Sequence, residues 1–477
     1  MLLRSQNADY VFANHDDVFR SFFKLTINME MTLKLQTFTK GGIHPPENKL
    51  AKDSPIKDPP LPEQVTIPLS QHIGAPAKPL VKKGDQVKVG TLIAESGGFI
   101  SANIHSSVSG KVVKIDDVND PGGYKKKAIF IDVEGDEWEP KIDRSTDVIS
   151  DIALSPEEIV ERLKTAGIVG LGGATFPTHV KFMVPKDKVV DTLIINAVEC
   201  EPYLTADHRL MLEKPDQILV GVEIMKKALG IQNAFIGIEN NKPDAIELLT
   251  SKAHNYSGTK VVPLEMKYPQ GAEKQLIKAI VNREVPSGRL PMDVGCVVDN
   301  VGTTFSIYQA VQHNMPLISR VVTVTGKQVK DPSNFQVRVG TPFSHLLDAV
   351  GGIPDDTAKI ISGGPMMGKA VGYVDIPVAK GTSGILLMGE KDAHRRNSTP
   401  CIRCGNCVDV CPMGLEPYLL EKQAEKSFWE DCETHHILDC IECGSCSFIC
   451  PAARPLLDQI RWGKKCVVEL QRKRKQK

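Results

Sequence analysis

The spacing of apolar residues changes several times along the chain, and each change marks a candidate domain. Val65, Ile67 and Leu69 alternate with polar residues or proline. Further short runs surround Val87, Val89, Leu92 and Ile93, and Gly110 to Ile115, cut by Gly84-Asp85 and Gly90. A period of two in short, glycine-bounded runs predicts a small β domain, placed over 31–140. Its first part, 40–64, holds Gly41, Gly42, Pro45, Pro46, Pro59, Pro60 and Pro62, and reads as extended and irregular. From 150 the texture changes. Ser155-Pro156-Glu157-Glu158 ahead of Ile159, Val160 and Leu163 is a helix start with a serine cap and a glutamate three residues on. Strands at 192–196, 234–239 and 260–268 then alternate with helices at 215–229, 243–253 and 272–281. This βαβα order predicts a mostly parallel, helix-covered α/β domain over 150–316. Val321, Val322 and Val324 before Gly326 predict a strand pair, and 341–350 a short helix, in a small α+β domain over 317–390.

Composition narrows the class. The chain has 477 residues, enough for about three or four domains. Lys plus Arg equals Asp plus Glu, 58 against 58, so no global charge points to nucleic acid. No run approaches the ~18 apolar residues of a membrane span, so membrane association is expected to be peripheral. Asp9, His15, Asp16 and Asp17 do not fit a signal peptide, and residues 1–30 read as a non-native or disordered extension.

Eight of the twelve cysteines lie in residues 401–450. Cys401, Cys404, Cys407 and Cys411 precede Pro412, and Cys440, Cys443, Cys446 and Cys450 precede Pro451. Each run is C-x₂-C-x₂-C-x₃-C-P. Thiolates are the soft ligands of iron–sulfur clusters, and in this arrangement the fourth cysteine of each run serves the other cluster. The expected sets are therefore Cys401, Cys404, Cys407 and Cys450, and Cys440, Cys443, Cys446 and Cys411. Two structural zinc sites are the alternative, but zinc frameworks favour paired C-x₂-C over triplets. This module is placed over 391–460, followed by a basic tail, 461–477, read by default as solvated. Cys200, Cys296, Cys432 and Cys466 read as isolated thiols.

A glycine loop, Gly167 to Thr178, follows the capped helix, with Lys181 just beyond. Repeated glycines let backbone N–H groups approach a phosphate, although a ligand-free turn reads the same way. Three polar segments follow strands: Asn196 to Pro202, Tyr268 to Glu273, and Asp299 to Thr303. Open α/β sheets bind ligands at the carboxyl ends of their strands, so the four segments are expected to share one nucleotide-like ligand.

These residues carry resemblances. The pattern from Val81 to Ala94 and from Ile104 to Val112 resembles a biotinyl/lipoyl-type barrel-sandwich domain, without a lysine between Glu95 and Gly110 to carry a cofactor. From about Met31 to the second cysteine run, the chain resembles the RnfC component of the Rnf electron-transport complex. The match is carried by Gly41 to Pro46, the G-L-G-G-A-T-F-P-T loop, N-A-V-E-C-E-P-Y-L, Ser362 to Gly368, and the cysteine runs. The middle resembles the NADH-binding flavoprotein of respiratory complex I, a Rossmann-like flavin/NAD domain, and 317–390 a β-grasp, soluble-ligand-binding domain.

The resemblance implies two [4Fe–4S] clusters, FMN, and NAD(H) as substrate. It implies that Gly170, Gly172, Gly173 and Lys181 hold the FMN phosphate and ring edge. Asn196, Asp299, Asn300 and Thr303 complete that site, and Phe176 stacks on the nicotinamide side. Glu199, Glu201 and Glu273 line the dinucleotide pocket, with Tyr268 and Gly271 beside them. Val198 and Ala272 depart from the flavoprotein pattern, which leaves the NAD mode less defined than the flavin site. The implied role is a peripheral component on the cytoplasmic face of a bacterial inner membrane. Its partners are integral-membrane and iron–sulfur subunits, and indirectly ferredoxin, but no nucleic acid. A soluble cobalamin reductase of the same domain set, or an electron wire with an empty flavin pocket, are the rivals.

Overall fold

The computed structural model describes residues 35–475, so the expected extension at 1–30 lies outside the described residues. The first β domain is a sandwich of a four-stranded and a three-stranded antiparallel sheet. The first sheet holds strands Gln64–Pro68, Lys125–Val133, Gly110–Asn119 and Gln86–Val87. The alternating residues Val65, Ile67, Ile93, Ile104, Val112, Ile129 and Ile131 fill the space between the sheets. Their polar neighbours face outward, as the period of two requires.

Within the 40–64 entry segment, residues up to Lys57 run as a strap over other parts of the chain. Ile43 pairs with Tyr268, and Lys49 Nζ donates to the carbonyls of Glu199, Glu201 and Leu204 at 2.7, 3.0 and 2.7 Å. Ile56–Lys57 adds an edge strand to a later sheet. Proline and glycine deny this segment a ladder of its own, so its polar groups pair with distant backbone.

The central sheet is four-stranded and parallel, in the order Thr259–Leu264, Asn233–Glu239, Thr192–Asn196, Cys296–Asn300. Along Thr192–Asn196, Leu193 and Ile195 enter one core and Ile194 the other. Apolar residues on both faces are what a sheet covered on both sides demands. Helices Pro156–Thr165, Pro215–Leu229 and Val301–Gln312 pack into the first core, and Glu273–Val281 into the second. Both halves of the Ser155–Glu158 capping box form, and Gly230 closes its helix at φ 66°. The strand expected to reach 268 ends at Leu264, because its neighbour ends opposite it at Glu239.

The third unit is a six-stranded mixed sheet. The expected strand pair is Ser319–Thr325 against Ser333–Arg338, and helix Phe343–Ala349 packs on the sheet. In the cysteine module, short helices Asn406–Asp409 and Ser445–Ile449 follow the first cysteines of each run. The position of the expected break at 460 lies inside a helix. Helix Leu456–Lys475 runs through it, burying Leu456, Ile460, Gly463 and Val467 along one face. Arg461 and Lys464 bind Glu442, and Arg474 binds Glu433, so three of the seven basic residues over 461–475 are paired within the module. No helix among the described residues is long and apolar enough to cross a membrane.

Candidate redox site

The glycine loop turns back on itself: Gly170 N–H donates to the Phe176 carbonyl at 2.9 Å. Leu171 N–H donates to Thr303 Oγ1 at 2.9 Å, which ties the loop to the helix that follows the Cys296–Asn300 strand. Gly172, Gly173 and Ala174 are left exposed, with Phe176 half-buried beside them. A side chain at Gly172 would put its Cβ 3.2 Å from Asn300 Cβ, so glycine lets the loop lie this close to the strand exit without displacing it.

Lys181 reaches from the loop's far side into the sheet. Its Nζ donates to the Val298 carbonyl at 2.6 Å and to Asp299 Oδ1 at 3.0 Å. Burial opposes its charge, but Asp299 and Glu273 outweigh burial and raise its pKa. Burial raises the Asp299 carboxyl, against the pull of Lys181. Asp299 Oδ2 is buried and has no partner among the described residues. Asn196 and Asn300 are direct cross-strand partners at the carboxyl ends of their strands. Asn196 Nδ2 holds the Gly271 carbonyl at 2.7 Å, and Asn300 Oδ1 accepts from Gly302 N–H at 2.9 Å as a helix cap. Glu273 starts its helix at the exposed rim. Thus Gly170, Gly172, Gly173, Phe176, Lys181, Asn196, Gly271, Glu273, Asp299, Asn300 and Thr303 gather at one end of the sheet.

Glu199, Glu201 and Tyr268 each engage backbone groups of other segments. Glu199 accepts the N–H groups of Asp207 and His208 at 2.8 and 3.2 Å, at the start of helix Ala206–Glu213. Glu201 accepts those of Met366 and Met367 at 2.7 and 2.9 Å, in the S-G-G-P-M-M-G turn of the third unit. Tyr268 donates its hydroxyl to the Cys443 carbonyl at 2.7 Å. Unpaired helix and turn N–H groups attract carboxylates, and nothing in the local sequence shows which such end lies nearby.

Two residues carry no signal in the sequence. Asp207 accepts from Asn300 Nδ2 at 2.7 Å, and burial, with Glu199 adding to it, pushes its carboxyl up to about 7. Lys380, from the third unit, is fully buried, and its Nζ donates to the carbonyls of Gly167 and Asn103 at 2.7 and 2.8 Å. It thereby pins the start of the glycine loop to the β sandwich. Both act over separations that leave no local pattern.

Thiols from the two cysteine runs meet in the fold. Cys411 lines one cavity with Cys440, Cys443 and Cys446, closed by Leu415, Leu420, Leu457 and Ile460. Burial raises the pKa of Cys440 and Cys443, and the neighbouring Cys411 adds to both. Cys407 is raised likewise, by burial first and then by Cys450 and Cys404. Tyr418 lies beside both Cys407 and Cys401. Such mutual repulsion between thiols is relieved when a cation-rich cluster binds them as thiolates. The Cys411 quartet sits against the α/β domain, whereas Cys404 and Ile402 of the other are exposed.

Four family profiles cover most of the chain. They are an RnfC barrel sandwich hybrid domain at 37–136, a Nuo51 FMN-binding domain at 163–309, an SLBB domain at 321–370, and a 4Fe-4S dicluster domain at 393–451. The corresponding component of a proton-translocating ferredoxin:NAD+ oxidoreductase complex from Clostridium ljungdahlii is 50% identical over 426 residues, 89% of this chain and 92% of that protein. The chain belongs to the RnfC family of ion-translocating ferredoxin:NAD+ oxidoreductase complexes. The RnfC-type component of a Na+-translocating ferredoxin:NAD+ oxidoreductase complex from Acetobacterium woodii is 46% identical over 445 residues, 93% of this chain and 100% of that protein. Among solved structures, an NAD+-reducing [NiFe]-hydrogenase matches with a TM-score of 0.47 and 17% identity, covering 66% of this chain and 63% of that one. As a member of the family, this chain is an electron-transfer component with an FMN-binding domain and a two-cluster iron–sulfur domain.

Proposed function

We propose that this RnfC-family protein exchanges hydride between NAD(H) and FMN at the glycine loop and relays single electrons through its two [4Fe–4S] clusters. FMN supplies, when bound, the conversion between two-electron hydride chemistry and one-electron cluster chemistry. The observation that carries the reading is the Lys181–Asp299 pair under a glycine loop that no side chain separates from Asn300. A buried carboxylate oxygen without a protein partner is costly unless a ligand or water completes it. Gly170, Gly172, Gly173, Lys181, Asn196, Asn300 and Thr303 would hold the flavin, and Gly271 and Glu273 the rim. The loop's N–H groups and the Lys181 charge suit a phosphate. Asp207 fixes the rotamer of Asn300, and Lys380 the path of the loop.

The Cys411 quartet is the near cluster of the route, and the exposed Cys401 quartet faces the next carrier. Integral-membrane and iron–sulfur proteins of the complex are its partners, with this chain peripheral on the cytoplasmic face. The test is reconstitution with FMN followed by NADH-driven ferricyanide reduction. Stoichiometric FMN and flavin-dependent turnover are expected. Full clusters with neither flavin binding nor dye reduction would leave the electron-wire reading.

A further inference from the structure

Cys411 is the one ligand of the near cluster supplied by the first cysteine run, and the peptides on both sides of it are held from outside the cysteine module. Ahead of it, the Val410 carbonyl accepts the Gly42 N–H at 2.9 Å. Behind it, the Pro412 carbonyl accepts Gln275 Nε2 at 3.2 Å, and the same amide lies 3.3 Å from Met413 Sδ. Gly41 lies flat on this peptide: a Cβ there would stand 2.6 Å from both the Cys411 carbonyl carbon and the Val410 oxygen. Its φ of 70° also favours glycine. Gln275 is buried on the helix whose first residue, Glu273, stands at the rim of the flavin site. Its Oε1 is buried without a partner among the described residues, so the side chain's polar contacts all run from its amide nitrogen to the Pro412 carbonyl and the Met413 thioether just after Cys411. The strap in turn is fastened to the flavin domain by the two-way pairing of Ile43 with Tyr268, at 2.8 and 2.9 Å.

We propose that Gly41, Gly42 and Gln275 are positioning residues that seat Cys411, and with it the near cluster, against the flavin domain. The inference rests on the proposed electron route for its kinetic meaning, but its spectroscopic consequence does not. Loosening the seat changes the backbone around one ligand of one cluster, and small misplacements at a reacting centre cost rate steeply.

The test uses the full chain with both clusters and FMN reconstituted, as the parent and as Gln275→Leu and Gly41→Ala. Gln275→Leu keeps much of the side-chain volume and removes the donor. Iron, sulfide, FMN content and ferricyanide reduction are expected at parent values. NADH-driven bleaching of the iron–sulfur absorption in anaerobic stopped flow is expected to slow about tenfold. With dithionite as reductant, the EPR signal of the near cluster should shift while that of the far cluster stays put, a readout that needs no flavin. Parental bleaching rates and unchanged EPR in Gln275→Leu and in a Gly41→Ala protein with full iron would overturn the proposal. Should Gly41→Ala lose iron, Gln275→Leu decides alone. A parent lacking FMN-dependent dye reduction refutes the proposed function instead, and the dithionite spectra still decide the seat.

Discussion

Replacing Lys181 with methionine separates the folding role of the proposed flavin site from its binding role. The Asp299 side chain is wholly buried, and Lys181 Nζ at 3.0 Å is its one charged partner among the described residues. Removing the lysine strands a carboxylate with neither oxygen paired by a side chain. Breaking a buried pair in this way costs about 3–5 kcal/mol. At 1.4 kcal/mol per decade, that is a rise in local opening on the order of 10²–10³. The assay is hydrogen exchange by mass spectrometry on flavin-free protein, read over 192–200 and 296–303. Amides of the two central strands report opening of the sheet beneath the site. The double variant, Lys181→Met with Asp299→Asn, removes both charges and should recover most of the loss. The single variant also carries a pH signature. Burial raises the Asp299 carboxyl, so the stranded group escapes its penalty by taking up a proton, and the variant should lose protection as pH rises. A single variant that costs under about 1 kcal/mol, or a double variant no better than the single, would refute the reasoning.

Other outcomes follow from the same geometry. Cys411→Ser should remove or convert the cluster ringed by Cys440, Cys443 and Cys446, and Cys450→Ser the one held by Cys401, Cys404 and Cys407. EPR of each variant checks this, and loss of the cluster in its own run would contradict the cross-ligation. Asp207, raised from 3.8 to about 7, binds a proton in the folded state that the unfolded chain lacks between those values, so its contribution falls as pH rises through that window. Asp207→Asn keeps an acceptor for Asn300 and should stabilise the protein above pH ~7 by up to about 4 kcal/mol, with no proton-linked gain below pH ~4. Denaturant midpoints at both pH values test it, and an equal effect at both would count against the assignment. Lys49→Met leaves three carbonyls without their donor and should release the strap, seen as faster exchange over 40–51 with the β sandwich unaffected.

Much of the chemistry was legible in the sequence because it is carried by short spacings. Three cysteines within seven residues can wrap one cluster corner by corner, and the proline after the fourth marks where the run turns away. The helix from Pro156 was legible for the same reason: cap, proline and glutamate act within one turn. Strand exits at Asn196 and Asn300 were legible as polar breaks after apolar runs, and the parallel order put them side by side. The carboxylates were not. Glu199 and Glu201 sit in one motif beside a strand exit, yet one caps a helix and the other a turn in the next domain. Their residue type suits either role, and only the location of unpaired N–H groups distinguishes them.

Local spacings in the chain therefore nominate the residues proposed for the redox chemistry: eight thiols in two runs, and a glycine loop with a lysine at the end of a parallel sheet. Backbone geometry imposes those spacings over a few residues, so no folded structure is needed to read them. How the parts are held together is a matter of tertiary packing alone. The strap over 38–57, the seat of Cys411 between Gly42 and Gln275, and the pin from Lys380 to Gly167 each join residues far apart in the chain. Such partners are selected by packing and by the requirement that buried polar groups find one another, and neither leaves a period or a motif in the sequence.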